Sequence, residues 1–224
     1  SKNLGFAAGF YYMSAPLGVS LSLLVAAYLE PLIGWRGCFY ALGALGILFC
    51  IIMVFLKETP RKSQMDRQGN SVKSPELPSI KQMLVTTWNA FARSPALKLT
   101  VFGAVTCHVF LGAAMFEQIW FVEERGFERN GIAELTGWIA LVAGVLGNLF
   151  GGVGGDYFLK KTGIGRPMFL FWVTLFLMPV TLTFRLIDPE SPLFMFCMFM
   201  HFFQFGSIYG PVFGTIQELV PPQV

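Results

Sequence analysis

The chain has 224 residues and a net charge of +3, yet only 13% of its residues are charged, where a soluble domain of this size carries about a quarter. With 54% hydrophobic residues, 24 phenylalanines and a mean hydropathy of +0.61, it is too apolar for an ordinary soluble enzyme or a disordered segment and points to lipid.

Six stretches are long enough to span roughly 30 Å of hydrocarbon: Leu4–Leu29, Gly37–Leu56, Leu99–Val122, Leu135–Gly155, Pro167–Phe184 and Pro192–Ile216. Lipid offers no partner for backbone N–H and C=O groups, and the alternation of a barrel strand is absent, so the spacing predicts six helices of an all-α integral membrane protein. The first span carries Gly5 and Gly9 as a small-xxx-small step, Pro16 as a bend, and Tyr11, Tyr12 and Ser14 as polar side chains. Gly34-Trp35-Arg36 is the expected turn into the second span.

Residues 57–98 are polar, with eight basic against three acidic residues, and separate two helices from four. Glu58-Thr59-Pro60-Arg61 ends the second helix in a proline stop, and residues 63–78, rich in Ser, Pro, Gly and charge, are expected to be flexible. Ser79 and Gln82 form a capping-box pattern that starts an amphipathic helix over 79–92, with Ile80, Leu84, Trp88 and Phe91 on one face for the membrane surface. Ser94-Pro95 is a fresh helix start leading into the third span.

That span holds Glu117, the only charged residue in any of the six, while His108 and His201 are the other titratable groups in the spans apart from cysteine and tyrosine. A lone carboxyl in hydrocarbon is a candidate proton carrier or cation contact; the alternative is that it snorkels outward or pairs with an outer arginine. His108 lies nine residues earlier, about half a turn away in angle, so it does not share a face with Glu117 and reads as an interhelical histidine or a ligand. In the fourth span Gly147, Gly151 and Gly155 make successive small-xxx-small steps, and Asn148 can bond between helices. Gly206, Gly210 and Gly214 repeat the pattern in the sixth span, where Gln204, Ser207 and Tyr209 precede Pro211; Pro179 is a candidate bend in the fifth.

The run GGVGGDYFLKKTGIGR at 151–166 is the most specific stretch. The fourth helix is expected to end there in glycines and Asp156, followed by a tight basic loop. Gly152 and Asp156 are four apart and share a face. The glycine admits a neighbouring helix, and the carboxylate can pair with Lys160 or Arg166 or cap a neighbouring helix N-terminus. The four cysteines, Cys38, Cys50, Cys107 and Cys197, have no metal-ligand spacing, and no hydrolase, metalloprotease or phosphate-loop motif occurs. Neither metal nor cofactor is expected, nor is an enzyme. Val153-Gly154-Gly155-Asp156 approaches an intramembrane aspartyl-protease motif but has no partner aspartate in a span.

With a cytoplasmic N-terminus, twelve of the sixteen Lys and Arg fall on the inner side and four, Arg36, Arg125, Arg129 and Arg185, outside. The positive-inside rule then places both ends and residues 57–98 in the cytoplasm, in a plasma (inner) membrane, and makes the basic excess a topology signal rather than a mark of nucleic-acid binding.

Gly152, Asp156, Gly165 and Arg166 stand in the places of the loop signature of the major facilitator superfamily (roughly G-x-x-x-D-R-x-G-R), with Tyr157 in place of its arginine and a longer Asp-to-Gly-Arg spacing. The chain resembles helices five to ten of a twelve-helix transporter of that superfamily, a fragment of a longer chain. The resemblance implies that 1–56 are the last two helices of one half, 57–98 the inter-domain loop and 99–224 the first four helices of the next half. Ala15-Pro16-Leu17-Gly18 resembles the fifth-helix motif of drug/proton antiporters, and Gly210-Pro211 with Gln217-Glu218-Leu219-Val220-Pro221-Pro222 resembles the spinster-type lipid and organic-anion carriers. These resemblances imply a secondary carrier for a small organic, amphiphilic or lipid-like solute, with a proton as candidate coupling ion. Its other expected partners are the bilayer and the remaining helices. The alternative is a transporter-like sensor or scaffold that moves no solute.

Overall fold

The computed structural model describes residues 4–57 and 79–220; the proline stop at 58–61, the segment 63–78, Lys2 and Pro221-Pro222 lie outside the described residues. Within them the chain is all-α and contains no strand: α1 (Leu4–Tyr12), α2 (Ser14–Val54), α3 (Ile80–Arg93), α4 (Pro95–Ala114), α5 (Glu117–Glu123), α6 (Arg129–Thr162), α7 (Arg166–Thr183), α8 (Pro192–Ser207) and α9 (Tyr209–Leu219). Four helical stretches among the described residues are long and apolar enough to cross a membrane: Leu4–Val54, Arg129–Thr162, Arg166–Thr183 and Pro192–Leu219.

The first of these, 51 residues long, would be about 76 Å as one straight helix at 1.5 Å per residue, about two and a half times the hydrocarbon thickness. It holds the first two expected spans. Their turn shrinks to one residue, Gly34, whose φ of 69° and ψ of 167° interrupt an otherwise helical backbone. The third expected span is broken rather than continuous: α4 ends at Ala114 and α5 starts afresh at Glu117. The fourth is longer than expected. α6 does not stop at Asp156 but runs on to Thr162, where Gly163 closes it in the left-handed conformation at φ 70°.

Two of the three expected proline bends coincide with helix breaks. Pro16 and Pro211 have no N–H to bond the carbonyls four residues back, at Tyr12 and Ser207. The helices break beside those carbonyls, between α1 and α2 at Met13 and between α8 and α9 at Ile208. Pro179 lies inside α7 with no break.

α6 is the axis of the bundle and touches α1, α2, α5, α7, α8 and α9. Its glycines make this possible. A Cβ on Gly147 would stand 2.1 Å from the carbonyl oxygen of Phe203, and one on Gly151 2.1 Å from that of Ser207, so α8 lies backbone to backbone against α6. On another side a Cβ on Gly152 would meet the Gly5 carbonyl oxygen at 2.6 Å, and one on Gly210 would meet the Gly152 Cα at 2.6 Å. α1, α6 and α9 therefore converge at the Asp156 end of the bundle. At the other end of the α2–α6 seam, the Tyr28 hydroxyl donates to the Glu134 carboxylate, and Trp138 Nε1 donates to the Tyr28 oxygen at 3.3 Å.

At that same end Phe121, Ile132, Phe184, Phe194, Cys197 and Met198 form a buried apolar cluster joining α5, α6, α7 and α8. Every residue from 39 to 57 is exposed, a surface suited to lipid or to further helices. α3 begins with the Ser79 N–H donating to Gln82 Oε1 at 3.0 Å and leaves Ile80, Leu84 and Trp88 exposed.

The seam yields a direct test. Gly147→Val should destabilise the full-length protein by about 1–3 kcal/mol, since the added atoms must push two backbones apart. Thermal unfolding in detergent checks this, and a wild-type melting temperature would show that α6 and α8 are not in close contact.

Candidate functional site

The loop-signature residues assemble into one buried polar junction. Asp156, on the last turns of α6, accepts the Gly5 N–H on Oδ1 at 3.0 Å and the Phe6 N–H on Oδ2 at 2.9 Å. These are first-turn amides of α1, which lack partners within their own helix, and the carboxylate also meets the positive end of that helix dipole. Arg166 Nε donates to Asp156 Oδ1 at 2.8 Å while its Nη1 donates to Glu218 Oε2 at 2.6 Å. The arginine is among the largest fully buried side chains, and such a cation is tolerated only with charge partners on its donors.

Local sequence explains how the parts meet. The extra turns of α6 from Tyr157 to Thr162 and the turn at Gly163 absorb the stretched spacing of the signature and carry the chain back. Gly165 caps α7, and Arg166 stands at the first position of that helix, facing Asp156. Lys160 is one turn beyond Asp156 on α6. Gly152 supplies the close approach of Gly5, without which the α1 amides would not reach the carboxylate. Glu218, absent from the sequence candidates, is the third charge of the junction. Its only sequence signal is an acidic residue in the exit of a helix whose Gly210 and Gly214 also contact this end.

A second group lies midway along the bundle. Tyr12 of α1 stacks on Phe213 of α9 with centroids 3.9 Å apart and on Tyr209 at 5.8 Å, and His108 of α4 meets Tyr209 edge-on at 6.4 Å. His108 Nδ1 also lies 2.8 Å from the Ala104 carbonyl oxygen of its own helix. A small pocket between α4 and the α8–α9 break is lined by Cys107, His108, Phe205 and Tyr209 among others. Asn148 bonds back to the Gly144 carbonyl at 3.1 Å, and its Oδ1 and Gln204 Oε1 are buried acceptors without a hydrogen-bond partner. Ser207 instead spends its hydroxyl on the Gln204 carbonyl at 2.7 Å, next to the helix break. Tyr11 is 72% exposed, and His108 too is exposed.

Glu117 belongs to neither group. It is buried at the start of α5, where Arg185 Nη2 reaches its Oε1 at 3.0 Å and His201 Nε2 lies 3.8 Å from the same oxygen. His108, on α4, and Glu117, on α5, thus have different neighbours. Arg185 and His201 lie 68 and 84 residues beyond Glu117 in the chain, so no local spacing links the three. Their only sequence signal is that each is a polar group in, or at the end of, an apolar span.

Among the described residues no group of three or more His, Cys, Asp or Glu could hold a metal ion. The arrangement offers instead a charged clasp at one end, an aromatic and amide-lined middle and a buried ion pair toward the other end.

Comparison with known proteins is consistent along the whole chain. A probable sulfoacetate transporter of Cupriavidus necator is 27% identical over 202 residues, covering 80% of this chain and 44% of that protein. An MFS-type efflux pump of Mycolicibacterium smegmatis is 23% identical over 221 residues, covering 94% of this chain and 47% of that protein. The chain therefore spans less than half the length of these curated relatives. No solved structure matches it. The family profile described as Major Facilitator Superfamily matches residues 1–224 from end to end, and with the apolar helices and the assembled loop signature this places the chain in the Major Facilitator Superfamily, as an integral membrane protein.

Proposed function

We propose that the chain is the middle of a secondary carrier working by alternating access, with residues 1–56 closing one half, 57–98 the cytoplasmic link and 99–224 opening the other half. The observation that carries this reading is the Asp156 clasp, which ties α1 of the first half to α6, α7 and α9 of the second. Two halves that rock against one another must break contacts at one end at a time. A carboxylate holding one half by its helix terminus and the other by a buried arginine is a latch suited to that movement. The glycine seams beside it are the surfaces over which the halves move.

The solute path is assigned to the middle group, with Tyr12, His108, Asn148, Gln204 and Tyr209 on it and Ser207 at its bend. Aromatic faces and amide carbonyls suit a small organic, amphiphilic or lipid-like solute. One relative is named for sulfoacetate, a small organic solute, and another for efflux without a named solute, so a small organic solute is common ground with the first. Counterflow by the full-length protein in proteoliposomes, with sulfoacetate and a lysophospholipid as probes, tests the carrier reading. A protein that binds a probe without exchanging it would be a sensor or scaffold.

Three outcomes are expected. Asp156→Asn should slow transport about tenfold or more, far more than it reduces expression or probe binding, because losing about one to a few kcal/mol of state preference shifts a two-state balance by that factor. Transport at the wild-type rate would make Asp156 a static cap. Arg166→Met leaves Asp156 and Glu218 uncompensated and should cost about 3–5 kcal/mol of stability, part of it recovered when Asp156→Asn is added; unfolding in detergent reads both. For topology, an impermeant thiol reagent applied to intact cells should label Asn130→Cys and spare Ser71→Cys on a cysteine-free background, and the reverse pattern would overturn the cytoplasmic assignment.

A further inference from the structure

Glu117, Arg185 and His201 form a cluster of ionisable side chains that the clasp and the solute path do not use. Glu117 Oε1 is shared, 3.0 Å from Arg185 Nη2 and 3.8 Å from His201 Nε2. The imidazole is enclosed by the rings of Phe205, Phe184 and Phe202, with centroids 4.7, 4.9 and 5.4 Å away. We propose that these three residues are a proton-binding site entered from the Arg185 side, in which His201 takes up one proton and replaces Arg185 as the partner of Glu117.

The argument is one of charge and exposure. With a neutral imidazole the cluster carries one anion and one cation, and its net charge is zero. A proton added to His201 from water forms one N–H bond and leaves two cations on one carboxylate, an excess charge that an apolar, aromatic enclosure does not tolerate. The excess is relieved only if one cation leaves. The side chains of Glu117 and His201 are 6% and 10% exposed, whereas that of Arg185 is 43% exposed. Arg185 is therefore the group that can go. Its guanidinium lies over Phe184 at 5.3 Å and over Trp120 at 5.6 Å, two ring faces that keep a cation attracted as it moves toward water. The imidazolium then closes its 3.8 Å gap to the roughly 2.8 Å of a charge-assisted bond, and the buried pair is again neutral.

Among the described residues no further ion pair involves any of the three; the acidic groups nearest Glu117 and Arg185 in the chain are Glu123 and Glu124 at the end of α5 and Asp188 beyond Arg185. Arg125 lies 5.5 Å from the Trp120 ring and donates to the Ile187 carbonyl. α6, which packs along α8, has no ionisable side chain between Glu134 and Asp156. α8 itself adds only Cys197, whose sulfur is 3.6 Å from the Thr183 hydroxyl, and α4 presents Cys107 and His108 in the pocket they share with Phe205.

Use of this proton to drive a solute rests on the carrier reading above, but the site does not, and the experiment needs neither solute nor transport. Full-length protein in detergent is acidified in weakly buffered solution from about pH 8 to about pH 4, through and below the range in which a free imidazole titrates, and proton uptake is read with an indicator dye. His201→Gln should lose about one proton per chain relative to wild type; undiminished uptake overturns the site. The exchange has its own test in thermal stability. Arg185→Gln strands Glu117 when His201 is neutral, so its deficit against wild type should shrink at the lower pH, and the double variant Arg185→Gln/His201→Gln should show no such recovery. A deficit equal at both pH values, a single variant that fails to fold at both, or recovery that persists in the double variant overturns the exchange. Loss of solute counterflow with the proton result intact would instead count against the carrier reading alone.

Discussion

Much of the structure at one end of the bundle depends on a single carboxylate. Asp156 satisfies two first-turn amides of α1 and neutralises a guanidinium buried to 2% exposure, and that guanidinium in turn fixes the end of α9 through Glu218. Without the arginine the two acids would face one another uncompensated, and without the aspartate the arginine would be a buried cation with one half-exposed partner. The junction is therefore stable only when complete, and completing it requires α1, α6, α7 and α9 to be in place together.

Glycine is what brings backbones near enough for this. In lipid there is little hydrophobic gain in placing one apolar helix against another, so association depends on van der Waals contact and interhelical hydrogen bonds, both of which reward close approach. The steps at Gly147 and Gly151 seat α8, while Gly152 seats α1 by the carbonyl of Gly5. Packing and electrostatics are thus a single arrangement: the short axial distance granted by Gly152 is the same distance across which Asp156 reaches the α1 amides.

The sequence is legible where the chemistry is local. The apolar spans, the Ser79–Gln82 cap, the helix start at Pro95 and the shared face of Gly152 and Asp156 all come from periodicity or short spacing, and each has a counterpart in the structure. The end of α6 departs from expectation because glycines that serve helix contact look the same in sequence as glycines that stop a helix; the true stop, Gly163, stands seven residues beyond Asp156. The break before Glu117 carries no proline and leaves no local mark. Neither Glu218 as a partner of Arg166 nor the choice of Arg185 among the outer arginines for Glu117 can be read from spacing. Ion pairs between helices 52 and 68 residues apart depend on packing that no spacing rule encodes.

The two helix breaks beside prolines have a mechanical consequence. Tyr12, the last residue of α1, stacks on Tyr209, the first of α9, so the interruptions at Met13 and Ile208 lie side by side at one depth. Each is beside a backbone bond that proline removes, which makes bending there cheap compared with bending a complete helix. Below that depth α1 and α9, about 14 Å and 16 Å long at 1.5 Å per residue, are joined by stacked rings, by glycine contacts and by the Asp156 clasp. While the clasp is closed both are held against α6; once it opens, α1 and α9 can part by bending at their own breaks, without bending α2 or α8.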